Sequence, residues 1–221
     1  MKTADLFDAT GLPPELQDLL DSTWPWEVLA RLDGFCGGIS ASLRGDVHPT
    51  AVVEGAVYLA PGASIGPHAY VKGPTWIGEG AEVGHGAYIR GNVVLAPGAA
   101  LKHSCEAKRA LFLVGAKAAH FNYVGDSVLG NRVNLGAGVK LANFKTFGNE
   151  IQVDGRATGL RKFGAAVGDD AVIGCNAVTS PGTLIGPRTL VYNGAMLRGV
   201  IPADSIVKLR QVLEVIPRRP T

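Results

Sequence analysis

Cut into sixes from Val47, the chain reads VHPTAV, VEGAVY, LAPGAS, IGPHAY, VKGPTW, IGEGAE, VGHGAY, IRGNVV and LAPGAA, and then reaches Leu101. Every block opens on an aliphatic residue: Val47, Val53, Leu59, Ile65, Val71, Ile77, Val83, Ile89, Leu95 and Leu101. A second row of small residues lies four positions on: Ala51, Val57, Ala63, Ala69, Thr75, Ala81, Ala87, Val93, Ala99 and Cys105. A period of six matches neither the roughly 3.6-residue turn of an α-helix nor the two-residue alternation of an isolated hairpin. It matches a chain wound into coils of three short strands, each coil stacked on the last. The large aliphatic then points inward and the small residue fits where the chain turns. The fold class is all-β, a parallel β-helix of hexapeptide repeats.

The pattern resumes as Val167, Ile173, Ile185, Val191 and Leu197, with Thr179 in the one weak slot, beside a companion row of Ala171, Ala177, Thr183, Thr189, Ala195 and Ile201. Leu129, Leu135 and Leu141 keep the spacing in between. Pro61-Gly62, Gly66-Pro67, Gly78-Glu79-Gly80, Pro97-Gly98, Pro181-Gly182 and Gly186-Pro187 sit between the strands, so turn chemistry accounts for most of the thirty glycines.

Three regions follow. Residues 1–46 form a helical N-terminal cap, with short helices over Pro14–Leu20 and Trp26–Leu32, where apolar residues recur at three and four positions. The cap covers the first coil or, alternatively, docks on a neighbouring subunit. Residues 47–202 are the β-helix. Its register fails twice, at 106–123 and at 144–164, and both stretches are expected to leave the prism as Lys- and Arg-bearing loops. Residues 203–221 are a C-terminal tail with a loose end.

A formal net charge of +2 gives no basic field that would suggest nucleic acid or a membrane surface. No apolar run reaches the length of a membrane span, and Met1-Lys2-Thr3-Ala4-Asp5 lacks a signal-peptide profile. Cys36, Cys105 and Cys175 are odd in number and have no metal-ligand spacing; Cys105 and Cys175 fall on or beside repeat positions and read as buried small residues, which fits a reducing, cytoplasmic compartment.

The stretch Lys117-Ala-Ala-His120-Phe-Asn-Tyr123-Val-Gly-Asp126-Ser127 is too polar for a structural coil, and it leads into Asn134-Leu-Gly-Ala-Gly138 and then Asn143. A His, a Tyr, Asn residues and nearby cations within about two coils can bind a polar small molecule and move one proton. Histidine, with an ordinary pKa of about 6.5, is the natural base near neutral pH.

This string resembles the acetyltransferase domain of the bifunctional N-acetylglucosamine-1-phosphate uridyltransferase / glucosamine-1-phosphate acetyltransferase enzymes. It is closer still to archaeal sugar-1-phosphate nucleotidylyltransferases that carry a similar C-terminal β-helix, which share the insertion ending in Arg161-Lys162-Phe163-Gly164 and the following Val167-Gly168-Asp169-Asp170. The resemblance covers roughly residues 85–200 and implies a left-handed winding. Carried over by position, it makes His120 the general base that deprotonates a sugar 2-amino group attacking acetyl-CoA, and places Asn143 near the acetyl group. Lys108, Tyr123 and Lys162 match positions that bind the sugar phosphate. Arg90 stands near a further one, with a different spacing to Lys108. Asn134 matches a sugar-binding Asn, and Ala137, Cys175 and Asn193 fall along the coenzyme A channel. Clustered cations suit a phosphate, fixed donors suit a tetrahedral oxyanion, and direct transfer requires no metal.

There are departures. Phe144 stands where the bacterial enzymes have Tyr, and Cys175 where they have Ser. Nothing in residues 1–46 resembles the nucleotide-binding half of those enzymes, so the chain is expected not to make a nucleotide sugar by itself, and a separate nucleotidyltransferase is a possible partner. His68, His85, His103 and His120 recur at about one coil and can form a column. The metal site of hexapeptide-type carbonic anhydrases also pairs two histidines five residues apart, and no pair here does so. The reading is therefore an acetyl-CoA-dependent N-acetyltransferase acting on an amino-sugar 1-phosphate, as a homotrimer with its site between subunits. Two alternatives stand beside it. One is a non-catalytic β-helix subunit that binds a sugar nucleotide or a partner nucleotidyltransferase. The other is O-acetylation of a different acceptor.

Overall fold

The computed structural model describes residues 1–218; Arg219, Pro220 and Thr221 of the tail lie outside the described residues. The chain is a parallel solenoid of about nine turns, a β-helix of the left-handed hexapeptide class. Strands of two or three residues stack in register. On one face Tyr58 pairs with Trp76, Trp76 with Val94, Val94 with Leu111, and Leu111 with Val128. Side chains alternate in and out along each strand, so Tyr58 and Trp76 point outward while Leu59 and Ile77 point into the coil, where they are fully buried. From Leu59 to Leu101 the row read from the sequence is buried without exception, together with its small companions and Leu129, Leu135 and Leu141. Each such aliphatic contributes roughly 1.5–3 kcal/mol of hydrophobic stabilisation.

The coils extend beyond the expected bounds at both ends. They begin at strand Ser42–Leu43 and end at Ile206–Val207, which pairs with Leu190–Val191. Thr179 fills its inner slot fully buried, with its hydroxyl oxygen lacking a partner.

Residues 1–46 contain α1 (Thr3–Leu6), α2 (Pro14–Gln17), a short 3₁₀ turn (Asp18–Leu20) and α3 (Val28–Gly37). These helices do not close the first coil: Val47, its inner residue, is 36% exposed. They lie along the Tyr58–Trp76–Val94–Leu111–Val128 face instead. There Leu16, Leu29, Leu32 and Cys36 form a second core with Trp76, Val94, Leu111 and Val128. The physical reason is the outward row itself: on this face it is apolar, and α3 covers it. Burial, aided by the neighbouring Asp33 carboxylate, pushes the Cys36 thiol up to about 12.

Residues 106–123 do not leave the prism. They remain in the coils as strands Glu106–Phe112 and Lys117–His120 and the start of Tyr123–Leu129. The hexapeptide register fails because two consecutive turns are seventeen residues long rather than eighteen. The corner Arg90-Gly91-Asn92 of one coil is followed below by the two-residue corner Lys108-Arg109, then by Gly125-Asp126. Arg109 and Asp126 absorb the shortening with left-handed φ angles of 45° and 46°.

The second interruption is a true insertion. After Asn143 the chain departs, makes a hairpin of Gln152–Val153 with Arg156–Ala157, and returns at Gly164, whose N–H donates to the Asp126 carbonyl. Its later half folds back onto its own chain: Ile151, Val153 and Phe163 are buried in the helix-side core, and Phe163 meets the Trp26 ring edge-on. Its first half is open, with Phe147 94% exposed.

Candidate active site

Two corners of the prism border one exposed face, and together they carry most of the polar residues singled out in the sequence. The first corner is traced by a ladder of backbone hydrogen bonds. Ser104 N–H donates to His85 O, Phe121 to His103 O, Gly138 to His120 O, Asn176 to Ala137 O, and Gly194 to Cys175 O. His85, His103, His120, Ala137 and Cys175 therefore stand one above another along a single edge, each immediately preceding a left-handed residue, and Asn193 continues it, just before Gly194. His120 sits directly over Ala137, Cys175 and Asn193.

Asn122 fastens this corner. It is almost wholly buried; its Oδ1 accepts the His120 N–H at 3.1 Å and its Nδ2 donates to Gly136 O at 2.7 Å. One amide thus ties the histidine's backbone to the coil below, leaving the imidazole exposed. Above it His85 and His103 stack at 5.1 Å with their Nδ1 atoms 3.0 Å apart, and His103 meets Phe121 edge-on at 5.0 Å. The regular repeat of the histidines does give a column.

The second corner begins about 10 Å along the strand at the usual rise. Asp126, 2% exposed, is its centre: Oδ2 accepts from Asn143 Nδ2 at 2.5 Å and lies 3.6 Å from Lys108 Nζ, and Oδ1 accepts from Arg109 Nη1 at 3.4 Å. Tyr123 Oη and Asn143 Nδ2 converge over Gly125, where a Cβ would lie 2.5 and 2.7 Å from them; only glycine leaves room for both. Burial, reinforced by the Glu106 and Asp126 carboxylates, raises the Tyr123 phenol above its ordinary value and keeps it a neutral donor. Arg90 pairs with Glu106 at 2.8 Å, on the strand register just above Tyr123.

Lys162 belongs to the returning limb of the insertion, bridged to Phe144, with its ammonium 5.9 Å from that ring. It lines a hollow of about 500 Å³ with Arg109, Asp126, Phe144, Leu160 and Arg161. Within one chain, then, Lys108, Tyr123 and Asn143 gather around Asp126, Lys162 reaches the same hollow, and His120, Ala137, Cys175 and Asn193 share the neighbouring corner. Asn134 stands apart, on the adjoining face three residues before Ala137, exposed and paired in register with Lys117.

Sequence reasoning gave no role to Asn122, Asp126 or Arg109. The signal for Asp126 was present: a carboxylate inside an otherwise apolar repeat is an expensive burial unless it holds other groups.

A family profile described as the GMPPB C-terminal domain matches residues 71–158. A bifunctional protein GlmU of Methanococcus maripaludis is 41% identical over 198 residues, 88% of this chain and 48% of that protein. That of Methanococcus aeolicus is 31% identical with the same coverage. The homologues of this chain thus include proteins named bifunctional GlmU. A bifunctional sugar-1-phosphate nucleotidylyltransferase/acetyltransferase of Sulfurisphaera tokodaii is 37% identical over 98 residues, 42% of this chain and 24% of that protein. The chain spans about half the length of the GlmU proteins it matches across 198 residues. Among the described residues no helix is long and apolar enough to cross a membrane.

Proposed function

We propose that this chain is an acyltransferase that moves acetyl from acetyl-CoA to the amino group of an amino-sugar 1-phosphate. The observation that carries the reading is the shared edge on which His120 stands over Ala137, Cys175 and Asn193, beside the face that holds Tyr123. Descent alongside proteins whose names include an acetyltransferase supports it.

In this scheme coenzyme A lies along the Ala137–Cys175–Asn193 edge, with its thioester below His120. The sugar amine's lone pair attacks the acetyl carbonyl carbon while His120 takes the amine proton. The tetrahedral oxyanion is held by donors such as Asn143, then collapses, and the C–S bond breaks. The departing thiolate takes the proton from the His120 imidazolium, so the products are the N-acetyl sugar phosphate and CoA-SH. Lys108, Arg90 and Lys162 supply cationic donors for the phosphate, and Tyr123 and Asn134 supply hydrogen bonds to the sugar. No metal is required by this sequence of steps.

A homotrimer follows from the same reading. The N-terminal helices already occupy one of the three faces, so self-association uses the other two and brings Asn134 of one chain toward a neighbour's edge. The acetylated product would feed nucleotide-sugar synthesis in the cytoplasm, the nucleotidyl step falling to a nucleotidyltransferase activity that this stretch of chain does not resemble.

The test is thiol release from acetyl-CoA with glucosamine 1-phosphate, with galactosamine 1-phosphate, and with neither. Release that depends on one of the amino sugars supports the reading and selects the sugar. Folded protein that releases no CoA with either contradicts it and favours a non-catalytic subunit that binds a sugar nucleotide or a partner nucleotidyltransferase.

A further inference from the structure

Asp126 is touched by three donors. Two of them, Lys108 and Asn143, carry roles in the acetyl transfer proposed above. The third, Arg109, is turned mainly elsewhere: its Nε and Nη2 donate to Asp33 Oδ2 of α3 at 2.9 and 2.6 Å, and only Nη1 reaches Asp126, at 3.4 Å. Asn92 Nδ2 donates to the other Asp33 oxygen at 2.7 Å. Two carboxylates and two cations thus form one balanced cluster, with the guanidinium held short on the helix side and long on the site side. Fork-shaped guanidinium–carboxylate contacts are the strong ones, and the strongest available partner takes the group.

We infer that Asp33, on the N-terminal helix, is a positioning residue for the acceptor side of the site: by engaging Arg109 it leaves Asp126 free to fix Lys108 and Asn143. This rests on the acyltransferase reading. Without the Asp33 charge, Arg109 is a partly buried cation whose one remaining carboxylate is Asp126. A guanidinium closing on that carboxylate competes with the ammonium of Lys108 and the amide of Asn143 for the same two oxygens. The N-terminal helices then have a function beyond covering an apolar face, because they set the charge balance of the neighbouring corner.

The geometry gives the inference a sign that simple helix docking does not share. Asp33→Asn keeps an oxygen for Asn92 and removes the charge. Arg109→Met removes the competitor and leaves Asp126 balanced by Lys108. The experiment measures KM and kcat for the amino-sugar phosphate in wild type, D33N, R109M and D33N/R109M, with thermal unfolding run alongside. D33N is expected to raise the acceptor KM about tenfold, the loss of one charge-assisted contact, with the acetyl-CoA KM moved less than about twofold. Arg109 itself lines the hollow, so R109M sets its own baseline, and the double variant is expected to show the R109M value with no further loss from D33N. A double variant more impaired than R109M, or a D33N protein with an unchanged acceptor KM, overturns the inference. A crystal structure of D33N reads the same point without turnover: Arg109 should close on Asp126 to about 2.8 Å and Asn143 should release it, whereas an undisturbed Asn143–Asp126 contact overturns it. Wild-type protein that transfers no acetyl would sink the functional reading instead, and the D33N crystal structure would still decide the positioning.

Discussion

The coils above Ser104 and the coils from Ser104 to Asn143 share one inner row and differ by one residue per turn. Tyr58, Trp76 and Val94 succeed one another at eighteen-residue intervals; Val94, Leu111 and Val128 at seventeen. In the upper coils the left-handed residues of this corner are Gly55, Gly91 and the uncharged Asn92, the glycines taking such angles at no steric cost. In the shorter turns they are Arg109 and Asp126, whose side chains make the ion cluster beside the candidate site. A non-glycine residue held at positive φ is locally unfavourable and persists where its surroundings fix it. The regular coils are a rod whose composition is dictated by packing. The shortened coils keep that packing and use the corner to place charge.

This contrast can be broken by substitution. The largest effect is expected at Gly125: Gly125→Ala drives a methyl into the space where Tyr123 and Asn143 meet, and turnover should fall about a hundredfold, the scale of a misplacement near 1 Å. Gly98→Ala, whose Cβ meets nothing within 4 Å in a regular coil but whose φ of 67° favours glycine, should cost some stability and leave the turnover of the folded protein unchanged. Steady-state kinetics on both variants would refute the contrast if the two behaved alike.

A smaller effect, of opposite sign, is expected at Thr179, whose buried hydroxyl lacks a partner. Thr179→Val removes a buried hydroxyl that has no partner and keeps the shape, so unfolding free energy should rise by about 1 kcal/mol. Denaturant midpoints compare the variant with wild type, and a lower midpoint would mean that the hydroxyl has a partner in solution.

The smallest effect concerns pH. The Tyr123 phenol is raised by burial and by Glu106 and Asp126, so the folded state keeps a proton that the unfolded chain releases near pH 10. That contribution to stability is present below this range and is lost as pH rises through the folded value. Tyr123→Phe should therefore lose stability less steeply between pH 9 and 11, and parallel alkaline profiles for the two proteins would contradict the assignment.

How much could be read from the chain follows the same divide. The rows Leu59–Leu101 and Val167–Leu197 were legible because a stacked coil repeats its inward choice every six residues, and nothing distant alters that choice. The helices of residues 1–46 were legible as helices, but their docking face was not. It is chosen by the outward residues Trp76, Val94, Leu111 and Val128, whose common exposure appears only when the coils are superposed. The stretch 106–123 reads as a loop because a one-residue deletion destroys register in a linear count, while in space the left-handed Arg109 and Asp126 repair it. The string from His120 to Asn143 was visible as a polar run. Its supports were not, since Asn122 and Asp126 act on partners fourteen to eighteen residues away, one coil up or down.

His103 and His120 occupy the same edge one coil apart and are direct register partners. Both are histidines, and only the lower one stands immediately above the Ala137–Cys175–Asn193 edge. The decisive measurement is CoA release by His103→Ala and His120→Ala under identical conditions. His103→Ala is expected to stay within about threefold of wild type and His120→Ala to fall by about a hundredfold or more, as loss of a general base requires. Full turnover by His120→Ala, or equal loss in the two variants, would contradict it.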